Sequence, residues 1–326
     1  MSRVGTRPAR IGILGCSDIA SRRFIPALLA TPRARLSGVA SSSPERAARF
    51  AAGASCRAFD YRGLVDAPEI DLIYLSLPNH LHEEWTLAAL EKGKHVICEK
   101  PLGLDPASVE RMTAAAEERG LLLYENLTYL HHPLLARVSE ALPEIGRIRT
   151  LRVVFGFTLR DSGNFRLDPA RGGGAFHDLS RYPLSAALRF LDGEPESFTG
   201  VAFENNGLVT GMHGFALSSR QELFSFGIDF AQQYHSFYEL VGERGRIRVD
   251  RAFTPPAEMA VPVQMVCGTE DRSFTVPATD QFRLMIEAVC GMIAADGDFR
   301  ESHARNRRLA ELAEQLRTGC TVVERD

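Results

Sequence analysis

The sequence lacks the features that mark membrane, secreted and nucleic-acid-binding chains. No apolar run reaches the roughly 18–20 residues of a transmembrane helix, and the start, M-S-R-V-G-T-R-P-A-R, has no apolar segment of a signal peptide. With 38 Lys and Arg against 41 Asp and Glu, the net charge of −3 argues against nucleic acid or anionic lipid as a partner. The six cysteines form no C-x-x-C pair, so we expect free thiols and a cytoplasmic protein.

The first third of the chain alternates short apolar runs with helical patterns. Apolar runs at 11–14, 36–40, 72–75, 95–98 and 121–124 predict strands, and the segments between several of them predict helices. This alternation is typical of βαβ units around a parallel sheet that helices cover. We expect the helix that contains Pro26 to be kinked, because proline lacks the N–H that a helix interior needs.

The pattern changes after about residue 125. Segments 150–158, 208–216, 221–230 and 237–241 predict strands without helices between them, and 241–247 predicts a hairpin turn. Two amphipathic helices, at 281–295 and 304–316, are expected to finish the chain. Because 326 residues suit two domains, we predict an α/β domain over 1–124 and an α+β domain with an antiparallel sheet over 125–326.

The first predicted strand runs into a turn that is typical of dinucleotide binding. Glycine at this turn lets the backbone bend and approach a pyrophosphate at a helix N-terminus. Gly12 and Gly15 are present, but Ser17 and Ala20 replace the other two glycines of G-x-G-x-x-G. The turn follows a strand and opens a helix, so we predict a cofactor site, with a plain strand–turn–helix unit as the alternative. The loop residues assigned to it are Gly15, Cys16, Ser17, Asp18 and Ile19.

The end of the second predicted strand carries no acidic residue, although NAD enzymes often place Asp or Glu there to bind the ribose. Ser41, Ser42 and Ser43 stand there instead, and Arg46 follows one helical turn later. Hydroxyls and a guanidinium group suit a 2′-phosphate, so we predict NADP rather than NAD. The alternative is that Ser43 is only the N-cap of the next helix and that the arginine faces water.

Polar groups also follow two other predicted strands, at the sheet edge where open parallel sheets bind ligands. Leu77, Asn79 and His82 follow the strand at 72–75, and Glu99 and Lys100 follow the strand at 95–98. We expect these five residues to line the cofactor cleft. The proline after Lys100 restricts the local backbone, and the bond before it is a candidate cis peptide.

Four segments together resemble the Gfo/Idh/MocA oxidoreductase family: G-C-S-D-I-A, P-N-H-L-H, G-K-H-V-I-C-E-K-P and G-G-G-A-F-H-D-L-S-R-Y-P. The resemblance covers essentially the whole chain. It implies an N-terminal Rossmann dinucleotide-binding domain and a C-terminal α+β domain with a mostly antiparallel open sheet. One side of that sheet would cover the active site, and the other would build the interface of a homo-oligomer, a dimer or a tetramer.

The resemblance also implies roles for individual residues. It places Lys100 at the reacting carbon and Glu99 at the cofactor. Many members carry D-x-x-x-H in the second domain, whereas here Asp178 is followed at that spacing by Tyr182. This departure is similar to the branch that includes glucose–fructose oxidoreductase, xylose dehydrogenases and sugar-nucleotide 3-ketoreductases. Segments 124–133, 251–257 and 279–282 resemble the 3-ketoreductases that act on dTDP-linked sugars.

The segment around glycines 172–174 predicts a loop that allows close backbone approach to a cofactor or substrate. Arg166, just before it, is a candidate for binding the diphosphate of a nucleotide sugar. His131 and His132 lack a third ligand at a suitable spacing, so we expect no metal, and we expect His177 to be a pocket wall. The predicted substrate-binding residues are Asn126, Asn164, Phe165, Arg166, Asp178, Tyr182 and Gln281.

Reduction of a ketone by NADPH requires a hydride for the carbon and a proton for the developing alkoxide. Tyr and Lys have ordinary pKa values near ~10, and an ammonium beside a phenol stabilises the phenolate. We predict Tyr182 as general acid and Lys100 as the group that polarises the carbonyl. The implied substrate is the C3 keto group of a dTDP-linked 3,4-diketo-2,6-dideoxyhexose. An NADP-dependent aldose or polyol dehydrogenase and a non-catalytic cofactor-binding paralogue are the alternatives.

Overall fold

The computed structural model describes residues 7–160, 163–295 and 297–325. They divide into two compact units. The first unit comprises the residues up to Thr128 together with Gln281–Ala310, and the second comprises Tyr129–Asp280 together with the residues from Glu311 onward. No helix within these described ranges is both long and apolar enough to span a membrane.

The first unit contains a six-stranded, all-parallel sheet. Its strand order is β3-β2-β1-β4-β5-β6, the order of a dinucleotide-binding fold. Ile13 lies opposite Val39 on one neighbouring strand and opposite Tyr74 on the other. The strands are β1 Ala9–Leu14, β2 Ala34–Ala40, β3 Arg57–Phe59, β4 Leu72–Leu75, β5 His95–Glu99 and β6 Leu123–Asn126. The Rossmann domain is confirmed, and the short β3 is an addition to the prediction.

Both faces of this sheet are buried, which explains the continuous apolar runs in the sequence. Successive residues of β4 join different clusters: Tyr74 packs with Phe24, and Ile73 packs with Leu64. The connecting helices are α1 Ile25–Leu29, α2 Pro44–Ala54, α3 Tyr61–Asp66, α4 His82–Glu91 and α5 Pro106–Glu118.

The helix that follows β1 contains a wide turn. Ala20–Phe24 form a π-helical turn that runs directly into α1. Because Pro26 has no N–H to donate within the helix, the irregularity expected from the sequence takes the form of this π-turn. Phe24, at its end, is buried, and its ring stacks on that of Tyr74 with centroids 3.6 Å apart.

The second unit contains a nine-stranded sheet in the order β14-β13-β12-β11-β7-β10-β9-β8-β15. Neighbouring strands are antiparallel except β7 with β10 and β8 with β15, so the mostly antiparallel sheet is confirmed. The hairpin predicted at 241–247 joins β11 to β12. The strands are β7 Ile148–Gly156, β8 Pro195–Asn205, β9 Leu208–Ser218, β10 Leu223–Asp229, β11 His235–Gly242, β12 Gly245–Asp250, β13 Val261–Cys267, β14 Glu270–Val276 and β15 Cys320–Glu324.

Three helices of the second unit were not predicted: α6 Pro133–Ile145, α7 Ala175–Leu179 and α8 Arg181–Phe190. The side chain of His132 accepts a hydrogen bond from the first turn of α6, where Pro133 has no N–H that needs an acceptor. The glycine triplet directly before α7 hid that helix from a reading of helical periodicity.

The last two predicted helices are α9 Gln281–Ala294 and α10 Arg300–Thr318. They do not finish the chain, because β15 follows them and pairs with the edge strand β8. The structure also differs from the predicted division at residue 124, because the segment Gln281–Ala310 belongs to the first unit. The physical reason is the apolar face of α9, whose Phe282, Met285 and Ile286 join the core around β1.

Candidate active site

The turn after β1 has the geometry expected of a phosphate-binding loop. Gly15 has a φ of +110°, and a Cβ atom there would lie 2.7 Å from the carbonyl oxygen of Ser76. Both observations require glycine at this position. The loop backbone therefore lies against the segment that follows β4, directly before a helix, where a pyrophosphate binds in this fold.

Two serines hold this loop in place. Ser76 donates its hydroxyl to the carbonyl oxygen of Gly15 at 2.8 Å, and Ser17 donates to Ser76 Oγ at 2.9 Å. Ser17 Oγ also accepts from the backbone N–H of Ala20 at 3.1 Å. The serine that replaces the second motif glycine thus serves as a helix cap. Ser76 was missed by the sequence analysis, although its place directly after a predicted strand is a usable signal.

The other predicted loop residues divide between the core and the surface. Cys16 is buried with Sγ 3.6 Å from the carbonyl oxygen of Ala40, and burial raises the pKa of its thiol. Ile19 packs against the core of the first unit. Asp18 is exposed and forms an ion pair with Arg22. The backbone of this loop, rather than these side chains, is the part that suits a phosphate.

The three serines after β2 have different surroundings. Ser43 is the N-cap of α2, since its Oγ accepts from the backbone N–H of Arg46 at 3.2 Å, and its hydroxyl donates to Glu45 at 2.7 Å. Ser41 is buried and accepts from the backbone N–H of Ser43. Ser42 and the Arg46 side chain are exposed. The interpretation of Ser43 as a cap is confirmed, and Ser42 and Arg46 are the groups accessible to a 2′-phosphate.

At the end of β5, the Glu99 carboxylate is held by two neighbouring strands. Its Oε1 accepts from the Tyr74 hydroxyl at 2.5 Å and from Asn126 Nδ2 at 2.7 Å. Burial, with Glu99 beside it, raises the pKa of the Tyr74 phenol. Asn126 is buried, and its Oδ1 has no hydrogen-bond partner among the residues that the structure describes. Gln281, also predicted at the substrate, is buried at the first position of α9.

Leu77, Asn79 and His82 were assigned to the cofactor cleft from their place after β4. Leu77 and Asn79 are buried in that segment. His82 is fully buried, with Nδ1 2.8 Å from the carbonyl oxygen of Pro101 and Nε2 2.9 Å from that of Leu77. Both ring nitrogens face carbonyl oxygens of the protein itself, which corrects the assignment of His82 as a cofactor-binding residue.

Lys100 differs from the other two lysines of the chain. Lys94 is buried and donates from Nζ to two carbonyl oxygens at 2.8 Å, and Lys92 forms a 2.9 Å ion pair with Asp66. Lys100 directly follows β5 and is joined to Pro101 by a cis peptide bond. The sequence analysis used the position of Lys100 after a strand, but not the scarcity of lysine, of which only three occur in 326 residues.

In the second unit, Tyr182 lies in the first turn of α8 among aromatic side chains. Its ring centroid lies 4.9 Å from that of Phe155, 5.2 Å from Phe253 and 6.0 Å from Tyr129. The Tyr129 hydroxyl hydrogen-bonds Ser185 Oγ in the same helix at 2.6 Å. These rings hold the partly exposed phenol of Tyr182 in a defined orientation.

Four of the predicted substrate-binding residues form one cluster in the second unit. Arg166 Nε lies 3.0 Å from Asp178 Oδ1, and Asn164 accepts from the backbone N–H of Arg166 at 3.1 Å. The guanidinium carbons of Arg166 and Arg171 lie 5.0 and 5.9 Å from the centroid of the Phe165 ring. The structure therefore adds Arg171 to this cluster.

The glycine triplet serves the loop itself. A Cβ atom at Gly173 would lie 2.6 Å from the carbonyl oxygen of Arg166 and 2.7 Å from that of Asp168. Gly172 and Gly174 have positive φ values of +74° and +103°. The sequence predicted a close approach of this loop to a cofactor or substrate. At Gly173, the close approach is to the backbone of the chain itself.

The histidines considered for metal binding or as a pocket wall are largely enclosed. His132 Nδ1 accepts from the backbone N–H of Leu134 at 3.0 Å, and burial lowers its pKa. Burial, with Arg181 and Arg317 nearby, lowers the pKa of His177 to about 4. Within the described ranges, no group of three or more His, Cys, Asp or Glu is arranged to hold a metal ion.

Family models match both halves of this arrangement. The model described as the oxidoreductase family with an NAD-binding Rossmann fold matches residues 9–127, and the GFO/IDH/MocA C-terminal domain matches residues 141–248. The chain belongs to the Gfo/Idh/MocA oxidoreductase family. The family resemblance seen in the sequence is therefore confirmed, and with it the two-domain fold class.

Several members of the Gfo/Idh/MocA family match nearly end to end. The dTDP-3,4-didehydro-2,6-dideoxy-alpha-D-glucose 3-reductase of Actinomadura kijaniata is 37% identical over 97% of this chain and 97% of its own length. The enzyme of the same name from Saccharopolyspora spinosa is 36% identical over 95% of this chain and 98% of its length. The crystal structure of KijD10, a 3-ketoreductase from A. kijaniata in complex with NADP and TDP-benzene, matches with a TM-score of 0.93 and 34% identity. That match covers 98% of this chain and 100% of KijD10.

Proposed function

We propose that this protein reduces the C3 keto group of a dTDP-linked 3,4-diketo-2,6-dideoxyhexose, with NADPH as the reductant. The observation that carries the proposal is similarity to two enzymes named for this reaction over 97% and 95% of the chain. The likeness to KijD10 supports NADP and a thymidine diphosphate group as ligands, because that enzyme was crystallised with NADP and TDP-benzene.

The first unit fits the cofactor. The backbone around Gly15 forms a cradle that a Cβ atom would fill, which suits a pyrophosphate. Ser42 and Arg46 are exposed beside the N-terminus of α2, which suits a 2′-phosphate. When bound, NADPH supplies the hydride. We assign Glu99, whose carboxylate two strands hold in place, to the cofactor as well.

Two side chains have the chemistry to complete the reduction. The developing alkoxide needs a proton, and a positioned general acid contributes roughly 10²–10⁴-fold in rate. We assign the proton to the Tyr182 hydroxyl and the polarisation of the carbonyl to the Lys100 ammonium.

We assign the diphosphate of the substrate to the arginine cluster of the second unit. Arg166 and Arg171 bring two guanidinium groups to the Phe165 ring. Each guanidinium group can bind two phosphate oxygens at once. Asp178 holds Arg166 by an ion pair. The buried Oδ1 of Asn126 is an acceptor for a ligand hydroxyl or amide. We retain Asn164 and Gln281 as supporting substrate-binding residues.

We further propose a homo-oligomer that forms through the outer face of the nine-stranded sheet. Phe215 and Leu217 alternate along β9, and Leu223 lies opposite Leu217 on β10. All three are exposed, at 50%, 53% and 37%, and an exposed apolar patch of this kind is typical of an interface. A cytoplasmic location is part of the proposal, since all six cysteines are free thiols.

The test is NADPH oxidation, followed by absorbance, with the dTDP-linked diketo sugar generated in situ. We expect turnover with this substrate and none with free xylose or glucose. The reverse result would replace the proposal with an aldose dehydrogenase. Calorimetry should show that thymidine diphosphate binds to the enzyme with NADP present.

The catalytic assignments are tested with Lys100→Ala and Tyr182→Phe. Each should lower kcat by about 10²–10⁴-fold and change KM less, because both groups act in the transition state. Lys92→Ala and Tyr61→Phe are the matched controls: Lys92 is an ion-paired surface lysine, and Tyr61 packs against Trp85. Unchanged kcat in both active-site variants would overturn the assignment.

A further inference from the structure

The peptide group between Pro101 and Leu102 is held at both of its polar atoms by buried ionisable side chains. His82 Nδ1 lies 2.8 Å from the Pro101 carbonyl oxygen, and Glu125 Oε1 accepts from the Leu102 N–H at 2.9 Å. His82 is 0% exposed and Glu125 is 1% exposed. A buried peptide group needs partners for both atoms, but here both come from side chains of other elements, α4 and β6.

His82 also links two segments that follow strands. Its second ring nitrogen lies 2.9 Å from the carbonyl oxygen of Leu77, in the segment after β4, while its first faces the turn after β5. Burial lowers the pKa of the imidazole, and the two carbonyl oxygens and the Glu125 carboxylate oppose that effect. The ring therefore fixes the end of one strand relative to the end of the next.

Lys100 immediately precedes this peptide group. Proline donates no N–H, so the Pro101–Leu102 peptide group is the first after Lys100 that offers both a donor and an acceptor. We propose that His82 and Glu125 are positioning residues that fix the direction of Lys100 by holding the Pro101–Leu102 peptide group. The inference rests on the proposed function, in which the Lys100 ammonium polarises the carbonyl.

Two substitutions at position 82 separate the two contacts of the ring, of which a neutral imidazole donates an N–H to only one. An asparagine places its amide nitrogen near the position of Nδ1, so His82→Asn can keep the donor to Pro101. A glutamine places its amide nitrogen near that of Nε2, so His82→Gln can keep the donor to Leu77. We expect His82→Gln to lower kcat by about ten- to a hundredfold, the range for a small misplacement of a reacting group. His82→Asn should have a kcat at least about tenfold higher than His82→Gln, with KM for NADPH similar in both.

The same logic applies to Glu125. Glu125→Gln keeps an oxygen acceptor for the Leu102 N–H, and Glu125→Met keeps the size of the side chain without that acceptor. We expect Glu125→Gln to restore most of the kcat that Glu125→Met loses. Urea unfolding of all four variants identifies any that fail to fold, and the comparison is then made within the remaining pair.

A second readout does not depend on catalysis. The chain has three lysines, so acetylation by acetic anhydride, followed by peptide mass spectrometry over a pH series, reports Lys100 with Lys92 as internal reference. We expect the pH profile for Lys100 to shift in His82→Gln and Glu125→Met but not in their partner variants. Equal kcat and equal Lys100 profiles within each pair would overturn the inference. A wild-type protein without activity on the diketo sugar, combined with the expected labelling shifts, would overturn the proposed function and leave the inference standing.

Discussion

The Tyr74 hydroxyl donates to Glu99 Oε1 at 2.5 Å, from the middle of one buried strand to the end of the next. On its other side the Tyr74 ring stacks on Phe24, which belongs to the helix that follows the phosphate-binding loop. A single side chain therefore connects the loop helix to the carboxylate that precedes Lys100. Glu99 is directed by this contact before any ligand arrives.

Tyr74→Phe should lower the free energy of unfolding by about 1.5–3 kcal/mol, because it removes a hydrogen bond to a charged group and keeps the stacked ring. Urea unfolding measures the change. Tyr238→Phe is the matched control: its hydroxyl is buried without a partner among the residues described, so its loss should cost little or add stability. Equal effects of the two substitutions would contradict the role of the Tyr74–Glu99 bond.

Gly15→Ala should greatly weaken cofactor binding. An added Cβ would lie 2.7 Å from the Ser76 carbonyl oxygen, and the φ of +110° is strained for alanine. The loop must therefore move away from the position that suits a pyrophosphate. Titration of NADPH fluorescence measures the binding, and we expect the affinity to fall at least about a hundredfold.

Gly53→Ala is the control for that substitution. Gly53 lies in α2, and a Cβ there meets no atom within 4 Å. Alanine in a helix is favoured over glycine by about 0.5–1 kcal/mol, so this variant should bind NADPH normally and be slightly more stable. Normal binding by Gly15→Ala would show that the loop does not hold the cofactor.

Arg46→Ala should weaken NADPH binding about ten- to a hundredfold, because a charge-assisted hydrogen bond to the 2′-phosphate is worth about 1.5–3 kcal/mol. NADH lacks that phosphate, so its affinity should stay the same. Arg49→Ala, three residues further along the same exposed helix, controls for general charge. Equal losses for both cofactors would mean that Arg46 does not contact the 2′-phosphate.

The strand-end residues show how far the sequence could lead. The apolar runs and the rule that ligands bind at the carboxyl ends of parallel strands were enough to place Glu99 and Lys100 at a candidate site. Neither of these two signals could reveal that His82, which follows the polar residues Asn79 and His80, would be fully buried between two carbonyl oxygens. That depends on how the segment after β4 meets the turn after β5, which no local pattern encodes.

The second unit was less predictable for a related reason. Its helix α7 directly follows three glycines, and β15 is short, mostly exposed and paired at the sheet edge with β8. Arg166 and Asp178, predicted at the substrate from separate motifs, lie together in the structure. Gly173, by contrast, was interpreted as a ligand contact because its tight packing against Asp168 is visible only once the loop is folded.

Leu217→Glu should dissociate the proposed homo-oligomer, because it places a charge in the apolar patch on the outer face of the sheet. Size-exclusion chromatography with light scattering measures the mass, which should fall to that of one 36.0 kDa chain. Leu29→Glu is the control, since Leu29 is 63% exposed on α1 in the first unit. A wild-type protein that is already monomeric would overturn the proposed interface.

His177 makes stability depend on pH in a defined window. Its ordinary pKa is 6.5, and burial lowers it to about 4 in the folded protein. The unfolded chain therefore takes up the proton at higher pH than the folded protein does. The contribution of His177 to stability is present above pH 6.5 and is lost as the pH falls toward 4.

His177→Gln removes this term, so the free energy of unfolding should fall less steeply between pH 6.5 and 4 than it does in the wild type. Between these two pH values, the wild type should lose roughly 2–3 kcal/mol more free energy of unfolding than the variant does. Urea unfolding at pH 8 provides the baseline, since the imidazole is neutral there in both states of the wild type. Parallel curves for the two proteins from pH 8 to 4 would show that His177 has the same pKa in the folded and unfolded chain. Burial of His177 would then not disfavour its protonated form.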